Sequence, residues 1–221
     1  MARRLERPSG SEDMPLLRGW LHLVCFFLAL PAAAWVVIAA APSARAGAAV
    51  YAAGLVALFG VSGSYHRGRW SPPWRARMQR LDHATIFVMI AGSYTPLCVL
   101  VLDGWLSRVL LITVWGGAVS GAVLAWWPGS GARAVRSSLY LVLGWVSVLA
   151  MPQLVTHLSG VEIGLIAAGG LLFTVGAITL FTRWPDPLPH VFGYHEVWHA
   201  LVVAAVVCHL LAISSVVRSA A

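Results

Sequence analysis

The sequence predicts an all-α integral membrane protein built as a seven-transmembrane-helix bundle. Of its 221 residues, 59% are hydrophobic and only 10% are charged, whereas about a quarter of the residues in a soluble domain are charged. A helix that crosses a bilayer needs roughly 20 apolar residues. Almost the whole chain between Leu16 and Val217 divides into runs of that length, so little sequence remains for a soluble domain.

Proline, glycine and arginine separate the apolar runs and set the predicted helix ends. Helices 2 and 3 are separated by the Arg- and Pro-rich stretch 67–81, and helices 6 and 7 by 183–192, where three prolines exclude a continuous helix. The other linkers are short. We predict a cytoplasmic tail over 1–16, a transmembrane domain over 17–217 and a tail over 218–221. The predicted helices within this domain are 17–41, 47–66, 82–102, 105–126, 137–156, 161–182 and 193–217.

The arginines predict the orientation, and the chain has no lysine. One side of the membrane has only Arg45, Arg108 and Arg218. The positive-inside rule therefore predicts a cytoplasmic N-terminus and an external C-terminus, in the inner or plasma membrane. This distribution explains the basic balance without a nucleic-acid partner. The arginines predicted to face the cytoplasm are Arg3, Arg4, Arg7, Arg18, Arg67, Arg69, Arg75, Arg77, Arg80, Arg133, Arg136 and Arg183.

A cleaved signal peptide is the less favoured interpretation of the first apolar run. The sequence Ala44-Arg45-Ala46 resembles a cleavage site, but the run over 20–41 exceeds the roughly 7–15 apolar residues of a signal peptide. Cleavage would leave six helices with the same orientation.

Ionisable residues lie at three helix ends that the predicted orientation places near the cytoplasmic face. Such residues inside membrane spans are costly and mark functional sites by default. Since the three ends share one depth, residues far apart in sequence are expected to meet. They are His66 at the end of helix 2, Asp82 and His83 at the start of helix 3, and His195, Glu196 and His199 at the start of helix 7.

Three of these histidines have the pattern of a metal site. His195 and His199 are spaced i,i+4 and project from one helix face, and His66 is the natural third ligand. Three imidazoles with one open position are typical of a catalytic zinc site. Imidazole donors favour zinc over magnesium or calcium, although copper, nickel or iron also accept them.

Ser62 and Asp82 are the predicted catalytic residues beside these ligands. Ser62 lies one turn before His66 on the same helix face. Asp82 has three open roles: it accepts a proton from water, orients a ligand histidine, or coordinates the metal directly.

Each signal also has a simpler interpretation. The His195 and His199 pair is also compatible with buried polar packing, Asp82 with an interfacial ion pair to Arg80, and Ser62 with helix packing. The remaining histidines are predicted to lie outside the site. We assign His22, His157 and His190 to the surface, and His209 lies about 15 Å further along helix 7 than His199.

Three separate stretches together resemble the hemolysin III family within the progestin and adipoQ receptor superfamily. The resemblance covers essentially the whole chain and implies seven helices, zinc on His66, His195 and His199, and a zinc-activated water positioned by Asp82 and Ser62. Some relatives are described as receptors and some as ceramidase-like hydrolases. The stretches are Ser62-Gly63-Ser64-Tyr65-His66-Arg67, Leu81-Asp82-His83-Ala84-Thr85-Ile86-Phe87 with Ala91-Gly92-Ser93-Tyr94-Thr95-Pro96, and Gly193-Tyr194-His195-Glu196-Val197-Trp198-His199 with Cys208-His209.

Three functions stay open at this stage. The favoured hypothesis is a zinc-dependent hydrolase of a lipid amide or ester, with membrane lipids as its surroundings and a lipid as its substrate. The second is a non-catalytic receptor-like or structural protein in which zinc ties helices together. The third is a membrane zinc protease, because the string His195-Glu196-x-x-His199 offers Glu196 as a general base. A pore is not predicted, since no span carries a polar stripe along its length.

Overall fold

A computed structural model describes residues 14–127 and 130–220 of the chain, with the backbone alone for residues 130–134 and 137. Within these residues the protein is helical, and no β-strand is present apart from one isolated bridge between Leu188 and Phe192. The α-helices are α1 (Trp20–Ala39), α2 (Arg45–Arg67), α3 (Pro72–Leu100), α4 (Gly104–Trp126), α5 (Ser130–Trp145), α6 (Met151–His157), α7 (Gly160–Thr182) and α8 (Tyr194–Ser219).

The seven predicted membrane spans are confirmed. Seven helical segments of the described chain are long and apolar enough to cross a bilayer. The fifth span, Ser138–His157, combines part of α5, a 3₁₀ helix and α6. The second span, Pro42–Arg67, adds a short 3₁₀ helix to α2, and each of the others corresponds to one long helix. The orientation stays a prediction. Arg3, Arg4 and Arg7, which contribute to it, lie outside the described residues together with most of the predicted 1–16 tail.

Helix α3 begins ten residues earlier than the apolar pattern predicts. Its first residue is Pro72 rather than Asp82. Proline is tolerated in the first turn because the backbone N–H that it lacks has no intrahelical partner there. The arginine-rich residues that follow are good helix formers. A span limited to apolar residues therefore underestimates the helix, and Asp82 lies inside α3 rather than at its start.

The fifth span is interrupted where a single helix was predicted. Between α5 and α6 the chain forms a 3₁₀ helix over Val146–Ala150. Pro152 follows in the first turn of α6 and cannot donate the hydrogen bond that would continue an α-helix. The Tyr94 hydroxyl lies 2.8 Å from the Leu143 carbonyl oxygen and accepts a 2.8 Å hydrogen bond from the Ser147 backbone N–H. This side chain satisfies backbone groups that the interruption exposes.

Helices α2, α3 and α8 form the interior of the bundle. Of the residues in the apolar stretches of these three helices, 56%, 50% and 44% are buried inside the bundle, against 28% or less in the other spans. Neighbouring helices pack in chain order, and α8 returns to contact α1, α2 and α3, which closes the bundle. The most buried helices are therefore those that carry the predicted site residues.

Candidate metal centre

The three predicted ligands meet at one end of the bundle. His66 is the penultimate residue of α2, and His195 and His199 lie in the first two turns of α8. Each histidine has one ring nitrogen that lies within 4.8 Å of a ring nitrogen of each of the other two histidines. We call His66, His195 and His199 the three-His cluster.

The spacing of these nitrogens fits a transition metal. The Nε2 atoms of His66 and His195 are 3.3 Å apart. Two ligands each 2.0–2.1 Å from one tetrahedral zinc ion lie about 3.3 Å from each other. The same distance also suits an N–H···N hydrogen bond between the two rings. His199 is 3% exposed, and its Nδ1 is buried without a hydrogen-bond partner among the described residues. Imidazole nitrogens in a buried pocket are the donor set that zinc accepts.

Hydrogen bonds and an ion pair fix the start of α8, and they thereby fix the positions of His195 and His199. The Gly193 backbone N–H donates a 2.9 Å hydrogen bond to Glu196 Oε2, and the Tyr194 N–H donates a 2.8 Å hydrogen bond to Asp186 Oδ1. The other carboxylate oxygen of Glu196 pairs with the Arg18 guanidinium. Both oxygens of Glu196 therefore have structural partners, and Glu196 is 2% exposed.

Residues 14–19, which we call the N-terminal segment, close over this end of the bundle. The backbone N–H groups of Leu16 and Leu17 donate to the carbonyl oxygens of His190 and Val191, at 3.0 and 3.1 Å. Gly19 has a φ of +77°, and a Cβ atom there would lie 2.3 Å from the Cβ of His66. Together with the pair between Arg18 and Glu196, these contacts join the start of the chain to His66 and to α8.

Ser62 and Asp82 lie next to each other beside the cluster. Ser62 is 3% exposed, and its hydroxyl interacts with the half-buried Asp82 carboxyl group. Asp82 is outside the group of mutually close ligand atoms. The alternative ion pair with Arg80 is not observed among the described residues, where the Arg80 guanidinium lies 5.4 Å from the centre of the Trp126 ring.

His22 is the residue that the sequence prediction missed. It was assigned to the surface, but it is 3% exposed, and its Nδ1 lies 2.9 Å from the Ser62 hydroxyl. Its ring stacks on His199 with the centroids 3.8 Å apart and the planes 14° from parallel. A depth argument would have found it, because His22 is in the first turn of α1, at the same end of the bundle as the cluster.

The other histidines lie outside the cluster, as predicted. His190 is exposed. His157 has a half-exposed side chain near Asp103 at the opposite end of the bundle. Further along α8, His209 Nε2 lies 3.3 Å from the Ile166 carbonyl oxygen.

Comparison with known proteins finds a matching family model and several similar proteins. The family model described as "Haemolysin-III related" matches residues 12–210. The chain is 35% identical over 126 residues to "Hemolysin-3 homolog" of Bacillus subtilis (strain 168), covering 57% of this chain and 56% of the relative. It is 34% identical over 123 residues to "Hemolysin-3" of Bacillus cereus, covering 56% and 53%.

A human protein is also similar to this chain. "Monocyte to macrophage differentiation factor" of Homo sapiens is 27% identical over 171 residues, which is 74% of this chain and 67% of the relative. The chain thus spans little more than half the length of the two Bacillus relatives that it matches. No solved structure matches it.

Proposed function

This chain belongs to the haemolysin-III-related family, and on that premise we propose that it is a membrane metalloprotein that hydrolyses an amide or ester bond in a lipid. The three-His cluster would hold one zinc ion. The single observation that carries the proposal is the convergence of His66, His195 and His199 from α2 and α8, with ligand atoms within 4.8 Å of one another.

The donor set supports zinc and a catalytic type of site. Three protein ligands with one position left open are the usual arrangement of catalytic zinc, whereas structural zinc takes four protein ligands. No fourth histidine, cysteine or carboxylate of the described residues joins the group. When bound, zinc would act as a Lewis acid that polarises a carbonyl group and makes water more acidic.

The chain's own residues have distinct roles in this proposal. The Asp82 carboxylate would accept the proton that water loses on attacking the carbonyl carbon, and it would later return a proton to the leaving group. Ser62, buried between Asp82 and His22, would hold the carboxylate in position. Asp82 stands outside the ligand group, which favours these roles over direct coordination.

The membrane setting supports a lipid substrate. The cluster lies where α2 ends and α8 begins. We propose that this end of the bundle meets the lipid headgroups, where the first acyl linkage of a lipid lies. We propose that this end faces the cytoplasm, as the arginine distribution predicts.

A non-catalytic role is the second candidate, and one observation favours it. A partly open cavity of about 60 Å³ is lined by residues such as Tyr94 and His209, and an open apolar groove lies between α1 and α2 near Ala33 and Ala52. Neither includes a residue of the three-His cluster. If no lipid-sized space opens at the cluster, the metal would only tie α2 to α8, as in a receptor-like or structural protein.

Metal analysis of the purified protein tests the proposal. We expect about one zinc per chain in detergent, lost when His66, His195 or His199 is individually replaced by Ala, and retained in the matched control His209→Ala. Lipid amides and the corresponding esters are then assayed for hydrolysis with the zinc-loaded protein. Folded protein without stoichiometric metal would contradict both candidates. One zinc per chain without hydrolysis would support the non-catalytic role, in which the metal only ties α2 to α8.

A further inference from the structure

His22 belongs to the metal centre although neither the family match nor the ligand pattern assigns it a role. Its ring is fully enclosed: it stacks on His199 at 3.8 Å and meets the Phe59 ring edge-to-face at 5.1 Å. Its Nδ1 contacts Ser62 at 2.9 Å. One residue of α1 therefore touches both a candidate metal ligand of α8 and a candidate catalytic residue of α2.

The Ser62 hydroxyl lies between two hydrogen-bonding groups. It contacts His22 Nδ1 at 2.9 Å on one side and the Asp82 carboxyl group on the other. A hydroxyl group both donates and accepts, so Ser62 can bond to both groups at once, with either ring tautomer of His22. The contact with His22 therefore restricts the rotation of the Ser62 hydroxyl. The Nε2 atom of His22 is left buried and without a hydrogen-bond partner among the described residues.

The stacked ring constrains His199 in a second way. A metal ligand binds well only if its ring plane is held near the metal, because each rotation that the free ring allows must be frozen on binding. His199 has no hydrogen bond from its Nδ1 to a described residue, so no hydrogen bond to that atom fixes its ring. The nearly parallel ring of His22, 14° from the plane of His199, limits this rotation by packing.

We propose that His22 is a positioning residue of the metal centre, which orients the ring of His199 by stacking and the hydroxyl of Ser62 by its hydrogen bond without binding the metal. This inference rests on the metal-binding part of the proposed function. The orientation of His199 and Ser62 then depends partly on α1, a helix that supplies no ligand. Loss of a residue that orients a ligand typically weakens metal binding by about 10–100-fold.

Substitutions at position 22 separate the two contacts. His22→Phe keeps an aromatic ring for stacking but removes the hydrogen bond, His22→Asn keeps an N–H donor but removes the ring, and His22→Leu removes both. The matched control is His209→Leu, which removes a half-buried imidazole of the bundle outside the cluster. The dissociation constant of zinc is measured by competition with a chelating dye. The visible spectrum of the cobalt-loaded protein reports the ligand geometry.

We expect all three variants at position 22 to keep about one zinc per chain. His22→Leu should bind zinc about 10–100-fold more weakly, with intermediate losses for His22→Phe and His22→Asn and no loss for His209→Leu. The cobalt spectrum should change in His22→Asn, which frees the His199 ring. In a Ser62→Ala background, His22→Phe should cause no further loss, because the hydrogen bond is already absent.

Two results would overturn the inference. Zinc affinity of His22→Leu equal to that of the wild type, with only a lower melting temperature, would show a packing role. Complete loss of metal, as in His66→Ala, would make His22 a ligand. If His22→Leu does not fold, wild-type affinity in both His22→Phe and His22→Asn overturns it instead. If the wild-type protein binds no metal, both this inference and the proposed function are overturned. If it binds metal but hydrolyses no lipid, only the hydrolase proposal is overturned, because the zinc affinities of the position-22 variants still test the role of His22.

Discussion

Replacing Gly19 by alanine measures how closely the N-terminal segment holds His66. Gly19 has a φ of +77°, and this left-handed conformation costs a residue with a Cβ about 1–2 kcal/mol. The new Cβ would also lie 2.3 Å from the Cβ of His66, far inside the ordinary carbon contact distance of about 3.5–4.0 Å. Since neither atom is the end of a flexible side chain, the N-terminal segment or the end of α2 must move.

Gly104 supplies a matched control for the backbone cost. It has a φ of +68°, and a Cβ there would meet no atom within 4 Å. Gly104→Ala and Gly19→Ala should therefore both lose about 1–2 kcal/mol of unfolding free energy from backbone strain. Only Gly19→Ala should lose more, and only this variant should displace His66, a proposed metal ligand.

Thermal unfolding in detergent with and without zinc separates the two effects. Saturating metal stabilises a protein in proportion to the logarithm of its affinity, so each tenfold loss of affinity removes about 1.4 kcal/mol of that stabilisation. We expect Gly19→Ala to lose at least about one such step, because the loss of contacts that position a ligand commonly weakens metal binding by about 10–100-fold. Equal zinc stabilisation in Gly19→Ala and Gly104→Ala would refute the contact between the N-terminal segment and the cluster.

Three further predictions concern stability. Glu196→Gln and Arg18→Gln should each lower the unfolding free energy, by at most about 3–5 kcal/mol for a buried ion pair, and the double variant should lose less than the sum in denaturant titrations. Additive losses would contradict the pair. Tyr94→Phe leaves the Ser147 N–H without its acceptor and should cost about 1–3 kcal/mol, whereas Tyr51→Phe should cost little, because the buried Tyr51 hydroxyl has no partner among the described residues. The reverse order of melting temperatures would count against this assignment. Metal removal by a chelator should lower the melting temperature, and zinc should restore it. An unchanged melting temperature would show that the metal does not stabilise the fold.

The number of spans could be predicted from the sequence because hydropathy reports directly on burial in lipid. Its limits appear at α3 and at the fifth span. Residues 72–81 are too polar to be predicted as membrane-spanning, yet nothing prevents them from extending α3 beyond the apolar run. The interruption before Pro152 depends on Tyr94, whose hydroxyl reaches the exposed backbone groups from another helix. A contact between distant residues of this kind leaves no local pattern.

The members of the three-His cluster could be predicted because helix periodicity and membrane depth leave few alternatives. The i,i+4 pair needs only helical geometry, and His66 needs only the alternating direction of the spans. The partners of Glu196 could not be predicted in this way. Arg18 is 178 positions away in sequence, and the same residue taken alone suggested a general base. His22 was missed because a single histidine near a helix start is usually at the surface, and its contacts depend on how α1 packs against α2 and α8.

The docking of the N-terminal segment has a consequence for biosynthesis. Leu16, Leu17 and Arg18 are synthesised before their partners His190, Val191 and Glu196, with most of the described chain between them. Contacts between such distant residues must wait for the intervening chain. The early segment therefore has to remain undocked until α8 is inserted. Two of the three proposed metal ligands are also part of α8, so metal loading would report that α8 is in place, and chains stalled before α8 should carry no metal.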